Sequence, residues 1–347
     1  MKIYHGPVNI GGIGGYLSSY QRGKGFLADF VTWQDHTMRQ NHDFDLALDK
    51  YKNIFTKIGI LFFWFIIALL KYTHFHFYYG QTLLPLGADL PILRLFKKKI
   101  VMSYCGSDIR LIYIENKRNP YADRLRISSD HPKFDNKKIL MMKWQNLWCH
   151  KFTALRNLVD SAREVIPEEK LLSDQWINNL GFSIKNCPEI EDVHTQNPPL
   201  LIHAPSEPNI KGTEYVRQAI RTLQEKGLEF EYEELQKVPN EQAQEIYRKA
   251  DIIIDQFLIG GIGTLAFEGM GYGKPVVAYV LEDVIEKYMP DCPIFNATIG
   301  NLPERLEQLI VTSELRVKLG KQGIEFVKKH LDPVKINEAV IDLYSSL

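Results

Sequence analysis

Residues 250–282 constrain the fold of this chain more than any other stretch of its sequence. They open with three consecutive isoleucines at 252–254, a β-branched apolar run that is too short for a helix and is typical of a buried parallel strand. A glycine-rich turn, a short run of helix-forming residues and a second apolar run after Pro275 follow in that order. Strand, glycine turn, helix and strand predict a doubly wound α/β domain with a phosphate site at the helix N-terminus.

The glycine turn is the first candidate for a binding site. Gly260, Gly261 and Gly263 allow positive φ and close backbone approach, and the predicted helix begins at Thr264. Because the first N–H groups of a helix lack intrahelical partners, the amides of Gly263, Thr264 and Leu265 are expected to hold the phosphates of a nucleotide. The alternative is a turn in which glycine only lets the helix pack closely on the strand.

Two charged side chains are predicted at the same sheet edge. Lys211 follows the first strand of the second half of the chain, so its ammonium group is expected to neutralise phosphate charge. Glu268 lies one turn into the helix and is expected to accept hydrogen bonds from ribose hydroxyls. Taken singly, each also fits a solvated surface residue, and their joint position is what favours a nucleotide site.

The composition is that of a two-domain protein with balanced charge. The chain has 347 residues, more than one ordinary core accommodates, and 42 basic residues balance 42 acidic ones. This balance gives no reason to expect a nucleic-acid partner. The four cysteines form no CxxC pair, which predicts a reducing compartment and no zinc site. No signal peptide is recognised after Met1, so we expect a cytoplasmic protein.

The amino-terminal half repeats the strand–loop–helix pattern. A strand predicted at residues 2–5 runs into a second glycine-rich loop and a helix, and a strand predicted at 99–104 ends in the sequence CGSDIR. Since the carboxyl ends of parallel strands carry functional groups, both segments are expected to line a cleft, although Ser107 or Asp108 also suits a helix cap. The cleft candidates are Gly12, Gly14, Gly15, Cys105, Ser107, Asp108 and Arg110.

Further elements of this half are predicted from their local patterns. Period-two alternation at 73–78 predicts a strand with His74 and His76 on one face, and packed or cleft-lining histidines are favoured over a metal site because no third ligand is in view. Residues 115–137 are polar and broken by proline, which predicts a surface loop. Residues 139–158 are predicted to form one helix, and residues 163–167 the next strand.

A polar, irregular stretch at residues 183–199 is the predicted linker between two domains. Strands and helices alternate on both sides of it, which predicts two Rossmann-like doubly wound α/β domains that face each other across a cleft. The predicted boundaries are 1–188 and 189–331, and residues 332–347 are predicted to form a C-terminal helix that packs on the first domain.

Residues 58–70 form a run of thirteen uncharged, mostly apolar residues between Lys57 and Lys71. A helix of this length, at about 1.5 Å per residue, spans about 20 Å and is shorter than the ~30 Å hydrocarbon core of a bilayer. A buried helix of the domain is therefore the favoured prediction. A helix at the membrane surface, with help from the basic residues Lys97–Lys99, is the alternative.

Three segments of the second half resemble a known family. They read HAPSEPNIKGT at 203–213, IYRKADIIIDQF at 246–257 and GGIGTLAFEGMGYGKPVV at 260–277, and they are similar to the nucleotide-sugar domain of retaining GT-B glycosyltransferases of family 4, also called group 1. The GGIGGY loop and YCGSDIR resemble the acceptor domain of the same family. The resemblance implies two Rossmann-like domains, with the acceptor bound by 1–188 and the donor by 189–331, and sugar transfer with retention and without a metal.

Carried over by position, the resemblance implies that Lys211 contacts the diphosphate and Glu268 the ribose. The chain departs from the family at three positions: Gly260 stands where the family has its first glutamate, Ser206 where it has an arginine, and Cys105 where it often has histidine. In the same-face displacement ascribed to this family, the leaving phosphate acts on the acceptor. Stabilising the charge of that phosphate therefore matters more than a protein base.

These observations predict a metal-independent, hexosyltransferase-like glycosyltransferase that needs no cofactor. Its expected partners are a nucleotide-sugar donor and a glycan or lipid-linked acceptor, at the inner face of the membrane, with peripheral contact through 58–70 and Lys97–Lys99 if that helix is not core. The expected residues are Glu268, Lys211 and Asp108 for catalysis; Ser206, Lys211, Gly261, Gly263, Thr264, Leu265 and Glu268 for the donor; and Gly12, Gly14, Gly15, Cys105, Ser107 and Arg110 for the acceptor cleft.

Two other classes of protein stay open. Gly261, Gly263 and Ala266 satisfy G-x-G-x-x-A, and Asp283 follows at about the spacing of a ribose-binding acid, as in an NAD(P)-dependent oxidoreductase. Against this reading, the motif lies late in its domain and its helix is short. The missing first glutamate also fits a non-catalytic protein that binds sugar nucleotides.

Overall fold

The computed structural model describes residues 1–34, 42–125, 131–172, 187–236 and 238–347. The chain divides into two compact units. Unit 1 comprises Met1–Ile114, Ser129–Gly181 and Val334–Leu347, and unit 2 comprises Glu115–Ser128 and Phe182–Pro333. The sequence predicts a boundary at residue 188 and a C-terminal helix at 332–347 that packs on the first domain. In the structure 334–347 groups with unit 1, and 115–128, which the sequence places in the first domain, groups with unit 2.

Unit 1 is built on a parallel sheet. Its described strands are β1 (Lys2–Gly6), β2 (Leu27–Thr32), β3 (Phe44–Asp45), β4 (His74–Tyr78), β5 (Lys99–Tyr104), β6 (Lys151–Ala154) and β7 (Leu171–Leu172). Their order in the sheet is β3-β2-β1-β4-β5-β6-β7, and the pairs are parallel. The direction of winding reverses between β1 and β4, which is where ligands bind in doubly wound sheets.

Helices connect the strands of unit 1. In chain order they are α1 (Ile13–Gly23), α2 (Ile54–Lys71), α3 (Asp89–Leu95), α4 (Ile112–Arg118), α5 (Asp135–Trp148) and α6 (Val159–Arg163). Since parallel strands need crossover connections, these helices are what makes the parallel sheet possible.

Unit 2 holds a second parallel sheet, with the order β12-β11-β10-β8-β9 among the described residues. Its strands are β8 (Leu200–His203), β9 (Glu231–Glu234), β10 (Ile252–Ile254), β11 (Val276–Ala278) and β12 (Phe295–Asn296). Its helices are α7 (Pro208–Lys211), α8 (Thr213–Glu225), α9 (Asn240–Lys249), α10 (Thr264–Gly271), α11 (Glu282–Tyr288), α12 (Leu302–Val311) and α13 (Ser313–His330). The winding reverses between β8 and β10, and the predicted fold class of two doubly wound α/β domains is confirmed.

The last helix, α14 (Pro333–Ser345), packs within unit 1. Ile336, Val340 and Tyr344 join a buried apolar cluster formed with β1, α1, β2, β4 and β5. The hydroxyl group of Tyr344 is 2.5 Å from Nδ1 of His76, whose Nε2 is 2.7 Å from Oγ of Ser103. His76 is fully buried with hydrogen bonds at both ring nitrogens, so it is the packed histidine that the sequence favours.

Helix α2 differs from the buried helix predicted at 58–70. It has 18 residues, because the turn before the charge-free run is also helical and is capped by Asn53, whose side chain accepts from the amide of Phe55. Among the described residues it is the one helix long and apolar enough to cross a membrane by length and composition. Only one of its faces packs on unit 1, and 22% of it is buried, so the prediction of a core helix is wrong for its other face.

Strand β6 of unit 1 was not predicted from the sequence. The sequence predicts one helix at 139–158, but α5 ends at Trp148 and β6 begins at Lys151 and pairs with β5. A four-residue strand is too short for its apolar spacing to be told from the end of a helix. The strand predicted at 163–167 is likewise wrong, since Arg163 ends α6 and the chain then turns. Part of the predicted linker, 183–186, lies outside the described residues.

Candidate functional site

The carboxyl ends of β8 and β10 meet at the switch point of unit 2. The two strands pair with Ile254 opposite His203. His203 is fully buried, its Nδ1 donates to the carbonyl oxygen of Ile254 at 2.9 Å, and its Nε2 accepts from the hydroxyl of Thr213 at 2.9 Å. Burial lowers the pKa of His203 and keeps the ring neutral. This histidine therefore joins the start of α8 to the end of β10.

Lys211 lies at this edge, as predicted, but it is not a lone cation. Its Nζ donates to Oδ1 of Asp255 at 2.9 Å and to Oε1 of Gln256 at 2.7 Å. The Asp255 side chain is fully buried, and the Lys211 side chain keeps 14% of its exposure. The ammonium charge is therefore largely balanced by a carboxylate that sequence reasoning did not identify as part of the site.

Asp255 also reaches the glycine turn. Its Oδ2 accepts from the amide of Gly263 at 2.9 Å, so one carboxylate joins the lysine to the residue just before α10. A Cβ on Gly263 would lie 2.5 Å from Oδ2 of Asp255 and 2.8 Å from Nζ of Lys211. Real Cβ atoms do not approach other atoms so closely, so any larger residue at 263 would collide with Asp255 and Lys211. Glycine is not needed there for positive φ, because its φ is −86°.

The glycine turn is closed by Gln256 and Gly260. Gln256 is buried, and its Nε2 donates to the carbonyl oxygen of Gly261 while its Oε1 accepts from Lys211. Of the three glycines that allow positive φ in this turn, Gly260 alone adopts it, at 71°, and a Cβ there would lie 2.7 Å from Leu281. Gly260 therefore allows a positive φ and close packing against Leu281, at the position where the resembling family has a glutamate.

The first turn of α10 presents the amides predicted to hold phosphate. The amide of Gly263 donates to Asp255 in this structure, so its predicted contact with a ligand stays a prediction. The amides of Thr264 and Leu265 lie in the first turn, where a helix supplies no acceptors. Thr264 is exposed, which leaves this helix end open to solvent.

Glu268 follows Thr264 by one turn on the same face of α10. Only 3% of it is exposed, which excludes the alternative of a solvated helical glutamate. Its charge lies near Tyr272, whose pKa is raised by burial and then by Glu268 against the opposing effect of Arg248. The guanidinium of Arg248 lies 4.8 Å from the centre of the Tyr272 ring. Ser206, the other predicted donor residue, is exposed in the turn after β8.

Residues 115–125 form a segment that packs on unit 2 and that sequence reasoning treated as a surface loop. Nδ2 of Asn119 donates to the carbonyl oxygen of Leu258 at 2.7 Å, close to the glycine turn. Nη1 of Arg124 donates to the Tyr215 hydroxyl at 2.9 Å at the start of α8. Polar residues without a period carry no signal of such a contact, so the sequence alone did not reveal it.

Further contacts hold the same segment in place. Arg118 forms an ion pair of 3.1 Å with Asp283, and the ring of Tyr121 lies 4.9 Å from that of Tyr279. The Arg124 guanidinium lies 5.6 Å from the Tyr215 ring centre. Asp283, the candidate ribose-binding acid of an oxidoreductase, is thus engaged by Arg118.

In unit 1, the loop after β5 holds four of the predicted cleft residues. Both carboxylate oxygens of Asp108 accept from the amide of Cys105 at 3.2 Å, and Oδ1 accepts from that of Gly106 at 2.6 Å. Burial raises the pKa of Asp108 to about 6, against the effect of these hydrogen bonds. The carboxylate thus closes its own turn by accepting from residues that precede it, which is not a helix cap, and the structure gives no support to its predicted catalytic role.

The neighbours of Asp108 are held by the protein itself. The hydroxyls of Ser107 and Tyr79 are hydrogen-bonded to each other. Arg110 is only 5% exposed, and Nζ of Lys138 donates to its carbonyl oxygen at 2.7 Å. Burial raises the pKa of the Cys105 thiol well above its ordinary value. Arg110 is therefore a buried residue, and its predicted contact with an acceptor stays a prediction.

The glycine loop after β1 is organised by backbone geometry. Gly12 has a φ of 78° and its amide donates to Oδ1 of Asn9 at 3.0 Å. A Cβ on Gly14 would lie 2.6 Å from the Phe30 ring, so this glycine lets α1 pack closely on β2. Gly15 is buried, and its carbonyl oxygen accepts from the Ser18 hydroxyl.

Sequence comparison gave no match: no family model matches this chain, and no match to a curated protein was found. Structural comparison gave matches along its whole length. Sucrose-phosphate synthase from Thermosynechococcus elongatus has a TM-score of 0.69 at 12% identity, covering 100% of this chain and 99% of that one. HepE from Anabaena, solved in complex with UDP-glucose, has a TM-score of 0.67 at 14% identity, with 100% of both chains covered.

A third solved structure is similar over nearly the same length. WaaG, described as a glycosyltransferase involved in lipopolysaccharide biosynthesis, has a TM-score of 0.62 at 12% identity, covering 98% of this chain and 99% of that one. At such low identities the likeness shows the fold, which is that of GT-B glycosyltransferases. The predicted fold is thereby confirmed on evidence independent of the sequence motifs.

Proposed function

We propose that this chain is a glycosyltransferase that moves a sugar from a nucleoside-diphosphate sugar to a glycan or lipid-linked acceptor, with retention of anomeric configuration. The observation that carries the proposal is the meeting of Lys211, Asp255 and the N-terminus of α10 at the switch point of unit 2. The GT-B fold supports it. Because HepE was solved with UDP-glucose, a UDP-sugar is the first donor to test.

In this proposal the diphosphate of the donor lies at the N-terminus of α10. The amides of Thr264 and Leu265 donate to its oxygens. The ammonium group of Lys211 has three N–H donors, of which two bind Asp255 and Gln256, and the third donates to the diphosphate. Since Asp255 balances the lysine, the helix end contributes the equivalent of about half a positive charge. Arg124, an exposed cation of the segment 115–125 that donates to Tyr215 of α8, is assigned to the remaining phosphate charge.

The other donor contacts follow from the same placement. Glu268 is assigned to the ribose hydroxyls, since it lies one turn beyond the phosphate amides on the face of Thr264. Ser206 is assigned to the turn that borders the donor, Gly261 to the backbone that the donor approaches, and Gly263 to the turn that keeps Asp255 and Lys211 in place beside it. The oxidoreductase alternative is not favoured, because its glycine motif follows β10 and precedes a helix of 8 residues.

The proposed reaction balances without an oxidant or reductant. The bond between the anomeric carbon and the diphosphate oxygen breaks, and the acceptor hydroxyl oxygen bonds to the same face of that carbon. The acceptor proton passes to the leaving diphosphate, so the products are the glycosylated acceptor and a nucleoside diphosphate. Lys211 and the α10 amides stabilise the charge on the leaving group, which is why the proposal needs neither a protein base nor a metal ion.

The acceptor is assigned to unit 1, at the loops that follow β1 and β5. Gly12, Gly14 and Gly15 shape the first loop, and Cys105 and Ser107 lie in the second. Arg110 and Asp108 are assigned to holding that second loop. We place the protein in the cytoplasm at the inner face of the membrane, in contact with it through the region of residues 58–70 and Lys97–Lys99.

Donor binding is tested by thermal unfolding of the full chain with UDP-glucose, other UDP-, GDP- and ADP-sugars, NAD⁺ and NADP⁺. A ligand at 100 times its dissociation constant adds about 2.7 kcal/mol of stability. We expect a shift with one class of nucleotide sugar, a loss of about tenfold in affinity for Glu268→Gln and of about fivefold for Arg124→Gln. Arg221→Gln is the matched control, because Arg221 is exposed on α8 away from Tyr215.

Transfer is tested with the radiolabelled donor identified in this way and a membrane extract as the source of acceptor. Labelled glycan with the anomeric configuration of the donor is the expected product. Binding without transfer or hydrolysis would show a non-catalytic sugar-nucleotide protein, and a shift with NAD⁺ or NADP⁺ alone would refute the transferase proposal.

A further inference from the structure

Helix α2 exposes a continuous apolar stripe. Its members lie at spacings of three and four residues, which places them on one face of the helix. The most exposed are Phe55 at 79%, Leu70 at 78%, Phe63 at 63% and Phe62 at 54%. Ile58, Gly59 and Ile66 complete the stripe, and no charged residue interrupts it.

The opposite face of the same helix is also apolar, and it is buried. Leu61, Phe65, Ala68 and Leu69 are at most 7% exposed. A surface helix normally keeps charged and polar residues on the face that it turns to water. An uninterrupted apolar stripe on the outer face is therefore typical of a helix that meets a second apolar phase.

A second exposed apolar group lies beside the carboxyl end of α2. Leu95 is 79% and Phe96 is 56% exposed in the tip that follows α3. The next residues return to β5, whose first residue, Lys99, is opposite His74 of β4. Nζ of Lys98 donates to the carbonyl oxygen of Tyr72, just after α2, at 2.7 Å. The tip and the end of the stripe therefore lie at the same edge of unit 1.

Within the two segments that carry these groups, the charges have one sign, and Asp45 is an acidic neighbour beside Gly59 and Phe63 of the stripe. Residues 52–73 contain three lysines and no acidic residue, and residues 94–99 contain one arginine and three lysines and no acidic residue. Lys52 and Lys97 are exposed, while Lys71 is paired with Asp29. Basic residues around an apolar face match a bilayer that contains anionic lipids, since the ammonium groups then lie at the headgroups.

We propose that the stripe of α2 and the Leu95–Phe96 tip insert together into the surface of an anionic bilayer, with α2 lying in the membrane plane. This deepens the membrane contact of the proposed function and rests on that part of it, but it does not depend on the transfer reaction. The helix does not leave the protein to span the bilayer, because Phe65 and Ala68 are each only 1% exposed in the packing of unit 1.

A second copy of this chain is the less suitable occupant. In a twofold dimer the same patch meets itself, so the basic residues of 52–73 and 94–99 would face each other and outnumber the acidic neighbour Asp45. Like charges brought together in this way repel each other, whereas anionic headgroups attract them. The charge pattern therefore favours lipid over self-association.

The proposal is tested by flotation of the full chain with phosphatidylcholine vesicles, with and without about 30% phosphatidylglycerol. We expect binding only to the anionic vesicles, weakened by salt. Phe55→Ser with Phe62→Ser should reduce the partition coefficient more than tenfold, and Lys52→Gln or Lys97→Gln should each reduce it about fivefold. The matched control is Leu140→Ser with Leu147→Ser, since these leucines are 69% and 66% exposed on α5.

Each other result would overturn the proposal. Wild-type protein that stays with the unbound fraction, or a control variant that loses binding as much as the stripe variant, excludes insertion through α2. A dimer that the stripe variant dissociates, without any vesicle binding, identifies a copy of the chain as the occupant. Resistance to alkaline extraction would show a spanning helix instead. The nucleotide-sugar shift, measured on the same variants, shows that they are folded and separates this proposal from the transferase one.

Discussion

The two glycine-rich loops of this chain look alike in sequence and differ in chemistry. Each follows a strand at the switch point of its sheet and each precedes a helix, α1 in unit 1 and α10 in unit 2. In unit 2, Asp255 at the end of β10 joins the loop to Lys211, which lies in α7 after the neighbouring strand β8. In unit 1 the strand ends carry His5 and Tyr78, which hydrogen-bond to each other at 2.7 Å.

The difference lies in charge. Burial lowers the pKa of His5 to about 4, so that this ring is neutral at pH 7, and the loop amide of Gly12 donates to the neutral side chain of Asn9. Unit 2 instead combines a cation, an open helix end and a carboxylate that orients both. The two loops therefore share their backbone arrangement and differ in the side chains beside them, which are neutral in unit 1 and form an ion pair in unit 2.

The largest effect is expected from separating the Lys211–Asp255 pair. Lys211→Ala leaves a fully buried carboxylate without its cation, which costs about 3–5 kcal/mol in the free energy of unfolding. Lys211→Met combined with Asp255→Asn removes both charges and should restore most of that stability. Urea unfolding measures the difference, and equal stability of Lys211→Ala and wild type would contradict the pair. Both variants should lose nucleotide-sugar binding, because both lack the ammonium group of Lys211.

A smaller effect is expected from the neutral histidine of unit 1. Because the pKa of His5 falls from 6.5 to about 4 on folding, the unfolded chain binds the proton first, and stability falls as the pH drops from 6.5 towards 4. At about pH 5 this lowers the free energy of unfolding by about 2 kcal/mol relative to neutral pH. The measurement is urea unfolding of wild type and His5→Gln at about pH 7.5 and about pH 5.

The comparison with the variant is needed because other groups act in the opposite direction. Burial raises the pKa of Asp89 and Asp108 to about 6, so these two carboxyls gain protons on folding and add stability as the pH falls. His5→Gln should therefore lose about 2 kcal/mol of the wild-type pH dependence. An unchanged slope in His5→Gln would mean that the ring titrates normally.

The smallest effect compares the two loops directly. Gly263→Ala forces Asp255 and Lys211 apart and should weaken nucleotide-sugar binding about tenfold, or about 1.4 kcal/mol. Gly14→Ala brings a Cβ against Phe30 and should destabilise unit 1 by about 1–3 kcal/mol while leaving donor affinity unchanged. Calorimetric titration and urea unfolding of both variants give the two readouts. Equal losses of donor affinity would erase the distinction between the loops.

The sequence predicts the parts of this fold that are encoded locally. The isoleucines of β10, the glycine turn and α10 are found where the pattern places them, and Lys211 lies beside Gly263. β6 was missed because four residues are too few to show a period. The pairing of Asp255 with Lys211 was missed because a carboxylate after a strand has the same sequence signature whether it is solvated or buried.

Contacts between distant segments carry even less local signal. The segment at 115–125 binds unit 2 through Asn119 and Arg124, and nothing in its composition distinguishes it from an exposed loop. Helix α2 shows the converse problem. Its apolar run is evident from the sequence, but only the packing of unit 1 reveals which face is covered and which is left to solvent.

Lys211 is already held when a ligand arrives, since Asp255 and Gln256 fix its ammonium group. A free lysine side chain has about 2 kcal/mol of rotamer entropy to lose, and most of that ordering is complete in the folded protein. The same carboxylate weakens the net pull on a bound anion. For the proposed reaction this favours turnover. A nucleoside diphosphate product bound to an unpaired lysine would dissociate slowly, whereas one that competes with the Asp255 carboxylate for Lys211 dissociates readily.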